Sequence, residues 1–136
     1  MSYYKQDELK KLGFLRLGKN VKISDRASIY NCNQICIGDN SRIDDFCVIS
    51  GKIKIGKNVH ITPMCLIAGG EKGIVFEDFV TIAYGVKVFS QSDDYSGTTM
   101  TNSTIPKKYK DEYKKEVILE KHSIVGAGSV IIPGVV

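Results

Sequence analysis

Large aliphatic side chains recur every six residues along most of this chain, and a small side chain follows each of them four places later. Five gap-free segments of 13 residues carry the pattern: LGKNVKISDRASI from Leu17, IGDNSRIDDFCVI from Ile37, IGKNVHITPMCLI from Ile55, FEDFVTIAYGVKV from Phe76 and LEKHSIVGAGSVI from Leu119. Their first, seventh and thirteenth places give 15 positions, all filled by Ile, Leu, Val or Phe, although these types make up under a third of the chain. The fifth and eleventh places hold only Val, Ala, Ser and Cys. A period of six matches neither a helix nor a plain alternation, so each hexapeptide predicts a short strand followed by a bend. Three such sides close a coil of 18 residues. The starts at 17, 37 and 55 lie 20 and 18 residues apart, which predicts one coil per segment, stacked at a strand spacing of about 4.8 Å.

The aliphatics are expected to point inward and stack on their equivalents above and below. The small residues, Cys47 and Cys65 among them, are expected inside near the corners, where a bulky group would overpack. Gly18, Gly38 and Gly56, with Asn20, Asn40 and Asn58, are expected to supply the bend conformations. Breaks in the period mark excursions: two extra residues near Asn31 to Gln34, three near Ala68 to Gly73, and about 25 after Val88, before the pattern resumes at Leu119. The chain therefore reads as a helical cap over residues 1–14, with Ser2 to Gly13 helical and Leu9, Leu12 and Phe14 covering the end of the stack, followed by a solenoid over 15–136 with a long loop at 89–116. Such a loop on a rigid scaffold is a place for function.

Composition narrows the classes. There are 17 Ile and 12 Val against six Leu, a β-branched excess that favours strands. The net charge of +4 comes from 19 basic and 15 acidic residues with no long basic stripe, so nucleic acid is not an expected partner. No apolar run approaches the roughly 20 residues that cross a bilayer, and Met1 to Lys11 is polar rather than a signal peptide. The expected location is cytoplasmic, with no membrane partner and with Cys32, Cys36, Cys47 and Cys65 as reduced thiols.

The repeats resemble the left-handed β-helix acyltransferases of the hexapeptide-repeat family, specifically the branch of galactoside- and maltose-type sugar O-acetyltransferases. The resemblance covers Leu15 to Val136 and implies an all-β, left-handed parallel β-helix, acetyl-CoA as cosubstrate, a sugar or nucleotide-sugar acceptor, and a homotrimer with active sites between subunits. VGAGSVIIPGV from Val125 looks like the stretch that holds the pantetheine arm, which makes Gly126, Ala127, Gly128 and Ser129 candidate coenzyme contacts; the small residues equally suit a solenoid corner. The loop after the fourth coil looks like the family's catalytic loop, but where galactoside-type enzymes carry a histidine this chain has Asp93, or Tyr95 with a shift of two. Asp93 and Asp94 are thus candidates for a general base on a sugar hydroxyl, or for orienting the sugar, or simply for an Asp-rich turn. His60 precedes an inward Ile and is expected to face outward, a catalytic candidate that could face a neighbouring subunit's catalytic loop, or a structural surface residue; His122 takes a bend place held elsewhere by Asn. Two histidines at unrelated repeat places cannot supply the three zinc ligands of the carbonic anhydrases that share this fold, and no metal is expected. The loop's Lys107, Lys108, Lys110, Lys114 and Lys115 suit either a solvated face or attraction of phosphates. The chain stops at Val136 inside a hexapeptide, where such enzymes continue, so either a continuation or a covering partner is expected there.

Three functions stay open: acetylation of a sugar hydroxyl in surface-polysaccharide biosynthesis, which leads; N-acetylation of an amino-sugar nucleotide, since an unprotonated amine needs little help from a base; and a noncatalytic solenoid scaffold.

Overall fold

The computed structural model describes all 136 residues. Fifteen short strands wind into three parallel five-stranded sheets, the three faces of a triangular column. The first face is built from Arg16–Leu17, Ile35–Ile37, Ile53–Ile55, Ile74–Phe76 and Val117–Leu119. The second holds Lys22–Ile23, Arg42–Ile43, His60–Ile61, Thr81–Ile82 and Ile124–Val125, and the third Ser28–Ile29, Val48–Ser50, Leu66–Ala68, Lys87–Phe89 and Val130–Ile131.

The register of these sheets reproduces the sequence repeat. Leu17, Ile37, Ile55, Phe76 and Leu119 pair in line on the first face. Ile23, Ile43, Ile61, Ile82 and Val125 do so on the second, and Ile29, Ile49, Ile67, Val88 and Ile131 on the third. These columns, with Val21, Val59, Val80, Val86 and the two inward cysteines, form one continuous core. Cys47 donates its thiol to the Thr62 carbonyl at 3.1 Å and Cys65 to that of Ala83 at 3.2 Å. The neighbouring Cys65 thiol, and then burial, push the Cys47 thiol far up, which makes it an inert core group.

The bends depart from expectation in an informative way. Asn20, Asn40 and Asn58 do adopt left-handed backbone, with φ of 57°, 62° and 53°, and the same place in the last two coils is taken by Phe79 and His122, both at 63°. A second left-handed corner, ten places into the last four of the five segments, is occupied by Phe46, Met64, Gly85 and Gly128. Gly18, Gly38 and Gly56 lie outside this region. They are required instead by the stacking itself: a Cβ on Gly38 would lie 2.5 Å from the backbone carbon and oxygen of Gly56. The glycines permit close approach of successive coils, and the asparagines make the turn.

The helix spans only Gln6–Lys11 and ends ahead of Gly13, whose φ is +83°. Leu9 is fully buried on the end of the core and Phe14 packs beside it, whereas Leu12 faces outward. A short 3-10 turn at Cys32–Gln34 absorbs the first excursion. After Lys87–Phe89 the chain leaves the column as an arm and rejoins it at Val117–Leu119. The arm's base is an antiparallel pair, Gln91–Ser92 with Tyr113–Lys114, anchored by the fully buried Ser90, whose hydroxyl donates to the Gly69 carbonyl. No helix is long and apolar enough to cross a membrane.

Candidate functional site

Between the arm and the last coil lies a cleft of about 770 Å³. The arm contributes Gln91, Asp93, Tyr95, Lys110 and Glu112, and the column Ile132 and Pro133. The local sequence explains why the arm holds this shape. Asp94 is the oxygen centre of an Asx-type turn: its carboxylate accepts the Ser96 amide at 2.9 Å and the hydroxyls of Ser96, Thr98 and Thr99 at 2.9, 3.1 and 3.0 Å. These bonds, the Ser96 amide first, hold the Asp94 carboxyl at about 2. Across the arm, Asn102 donates its amide to Asp93 Oδ2 at 3.0 Å and bonds Thr104 in a second turn.

Chemically, Asp93 and Asp94 diverge. A general base works best with a pKa near the operating pH, and four donors leave Asp94 far too weak a base for a sugar hydroxyl. Its carboxylate shapes the turn that carries its neighbours. Asp93 accepts one arm amide through Oδ2 and borders both the large cleft and a smaller one shared with Asp94 and Asp111. Tyr95 also borders both and is the most exposed large side chain of the arm.

The remaining predicted residues lie elsewhere. Gly126, Ala127 and Gly128 form the exposed corner of the last coil. Gly128 is left-handed, and a Cβ there would meet nothing within 4 Å; this open backbone is not among the residues bordering the cleft under the arm. Ser129 donates its amide to the Gly126 carbonyl at 3.2 Å and closes that corner. His60 faces outward from the second face, as alternation predicts, into a different cleft. Its Nε2 lies 2.7 Å from Asp44 Oδ2 and 2.8 Å from Arg42 Nη2. Asp44 is almost fully buried and also holds Arg42 Nε at 3.0 Å. The Tyr3 phenol donates to Asp44 at 3.4 Å, and burial, then that carboxylate, push the phenol up. His122 stacks on Phe79 with ring centres 4.9 Å apart.

Some cleft residues escaped the sequence reading. Gln91 and Glu112 are joined across the base of the arm, and Glu112 holds Lys110 at 3.4 Å. Lys110 also donates to the Asn102 carbonyl at 3.1 Å and is only 7% exposed. It is not part of a solvated basic face, and the Lys–x–Glu spacing that pairs it with Glu112 was the available signal. Asp44 was hidden in the DD pair at 44–45, where only the buried member meets Arg42 and His60.

A three-faced column of hexapeptide coils with one polar arm is the architecture of the hexapeptide-repeat class, and the relatives that match this chain along nearly its whole length are acyltransferases. The chain belongs to that family, whose coils wind left-handed. The family described as Bacterial transferase hexapeptide (six repeats) matches residues 37–69. A dTDP-4-amino-4,6-dideoxy-D-glucose acyltransferase from Escherichia coli is 41% identical over 139 residues, spanning 100% of this chain and 72% of that protein. AntD, an N-acyltransferase from Bacillus cereus solved in complex with dTDP and 3-hydroxybutyryl-CoA, is 50% identical over 98% of this chain and 71% of its own, with a TM-score of 0.96. A variant of AntD in complex with dTDP-4-amino-4,6-dideoxyglucose and coenzyme A superposes with a TM-score of 0.95, at 51% identity over 97% of this chain and 71% of its own. The galactoside- and maltose-type branch is a finer placement than these similarities support.

Proposed function

We propose that this protein transfers an acyl group from an acyl-CoA thioester to the amine of a nucleotide-linked amino sugar, of the dTDP-4-amino-4,6-dideoxyglucose type, in the cytoplasm and as a homotrimer. N-acylation replaces hydroxyl acetylation as the leading reading. The observation that carries it is the chemistry of the arm: it presents carboxylates and no histidine, and the carboxylate held at about 2 has no useful basicity. The similar Escherichia coli acyltransferase of dTDP-4-amino-4,6-dideoxy-D-glucose, and AntD with dTDP-4-amino-4,6-dideoxyglucose bound, support the same acceptor.

An unprotonated amine attacks the thioester carbonyl without prior loss of a proton. The C–N bond forms as the carbonyl π bond opens, and the nitrogen of the tetrahedral intermediate becomes a strongly acidic ammonium. A carboxylate within reach of the nitrogen can take that proton. Asp93, bordering the cleft with one oxygen not used by Asn102, is assigned this role; the C–S bond then breaks and the proton passes to the departing thiolate, giving amide and free CoA thiol. The column fixes the two substrates relative to each other, and positioning supplies much of the acceleration. Gly126, Ala127, Gly128 and Ser129 are proposed to lie along the pantetheine arm.

The test is release of CoA thiol with a dTDP-4-amino sugar against the same sugar bearing a hydroxyl. Turnover with the amine and none with the hydroxyl is expected, and the reverse preference would overturn the reading. Asp93→Asn is expected to lower kcat about 100-fold, at the lower end of general acid–base effects; a rise in KM alone would reduce Asp93 to positioning.

A further inference from the structure

Along the column's first bend, lined by no residue of the arm, is a cleft of about 580 Å³ to which the acyl-transfer reading, on whose phosphate-bearing substrates this inference rests, has assigned no role. Two parallel rows line it. One is the left-handed ladder Asn20, Asn40 and Asn58; the other is the outward row Lys22, Arg42 and His60, paired in register on adjacent strands. From the geometry of these rows we infer that the cleft binds the phosphates of an anionic ligand, separately from the chemistry under the arm.

Three observations converge on this. The carboxamide of Asn31 accepts the Gly51 amide and that of Asn102 the Thr104 amide, whereas the three ladder carboxamides make no hydrogen bond within the protein and border the cleft. Lys22 and Arg42, cations opposite one another on neighbouring strands, repel, a cost that an anion between the rows relieves, whereas His60 is joined to Arg42 through Nε2. Finally, no carboxylate borders the cleft. The acids on the same coils are already engaged: Asp39 by the Lys19 amide, Asp45 by the Ser24 hydroxyl, and Asp44 by Arg42 and His60. Asp44 also fixes the Arg42 guanidinium, which remains 43% exposed and so is oriented without being withdrawn. Oriented guanidinium, ammonium and amide donors around an acid-free cleft are a phosphate-recognising set.

The phosphates can come from a nucleoside diphosphate or from coenzyme A, and the experiment separates these. Inorganic pyrophosphate is titrated calorimetrically into the full chain at two salt concentrations, and the titration is repeated with dTDP or CoA present. The informative variant is Lys22→Ala with Asn40→Gly, because glycine accepts the φ of +62° at residue 40 and neither change strips buried Asp44 of its partner. Salt-sensitive binding that weakens at least tenfold in the double variant is expected, with competition by dTDP or by CoA naming the source. Absence of pyrophosphate binding, binding undiminished in the double variant, or competition by neither ligand would overturn the inference. Asp93→Asn must leave pyrophosphate binding intact, so a failed acyl-transfer reading and a failed phosphate site give different results.

Discussion

The column and the arm hold their shape by opposite means. In the column each position is set by the coil above and the coil below, and three columns of aliphatics share one core. In the arm almost nothing apolar is fully buried; its shape comes from side-chain carboxylates and carboxamides bonding to amides and hydroxyls a few residues away. The difference teaches where change is tolerated. The column's periodic packing makes it a rigid ruler, and the arm's local bonds let chemistry be placed on that ruler without disturbing it.

The largest expected effect lies in the column. Ile61, fully buried between Ile43 and Ile82, should destabilise the protein by about 2–5 kcal/mol as Ile61→Ala, read as a lower midpoint in urea unfolding. Ile105→Ala in the arm should change stability by under ~1 kcal/mol; equal losses would break the contrast. Gly38→Ala should cost about 1–3 kcal/mol by overpacking, because its Cβ meets the backbone of Gly56, while the same change at the open Gly126 should be near neutral. The smallest effect is in the arm's acid response. The Asp94 carboxyl, lowered from an ordinary 3.8 to about 2, holds its turn fully above about pH 4 and loses it as pH falls towards 2. Hydrogen exchange at the Ser96 amide should accelerate across that window, and in Asp94→Asn the step should be absent.

The column was largely legible because its signal is redundant: the register of all three faces follows from the first, seventh and thirteenth places alone. The role of the glycines was less legible, since a Gly–x–Asn signature does not reveal which residue turns and which merely makes room. The left-handed Phe46 and Met64 violate local preference, and only the coil geometry forces them. The site was less legible. The sequence located the arm and its aspartates, but which of two adjacent carboxylates is consumed by the turn depends on where Ser96, Thr98 and Thr99 fold back. The cleft of Asn20, Lys22 and Arg42 needs three coils to assemble, and no single segment displays it.

Acyl transfer to an amine without a histidine base is tested most directly by the pH dependence of kcat/KM with an amino-sugar nucleotide. The rate should rise to a plateau set by the acceptor amine's own ionisation, with the same inflection in the wild type and in His60→Asn. An inflection between about pH 6 and 7, where histidine ordinarily titrates, that disappears in His60→Asn would contradict it.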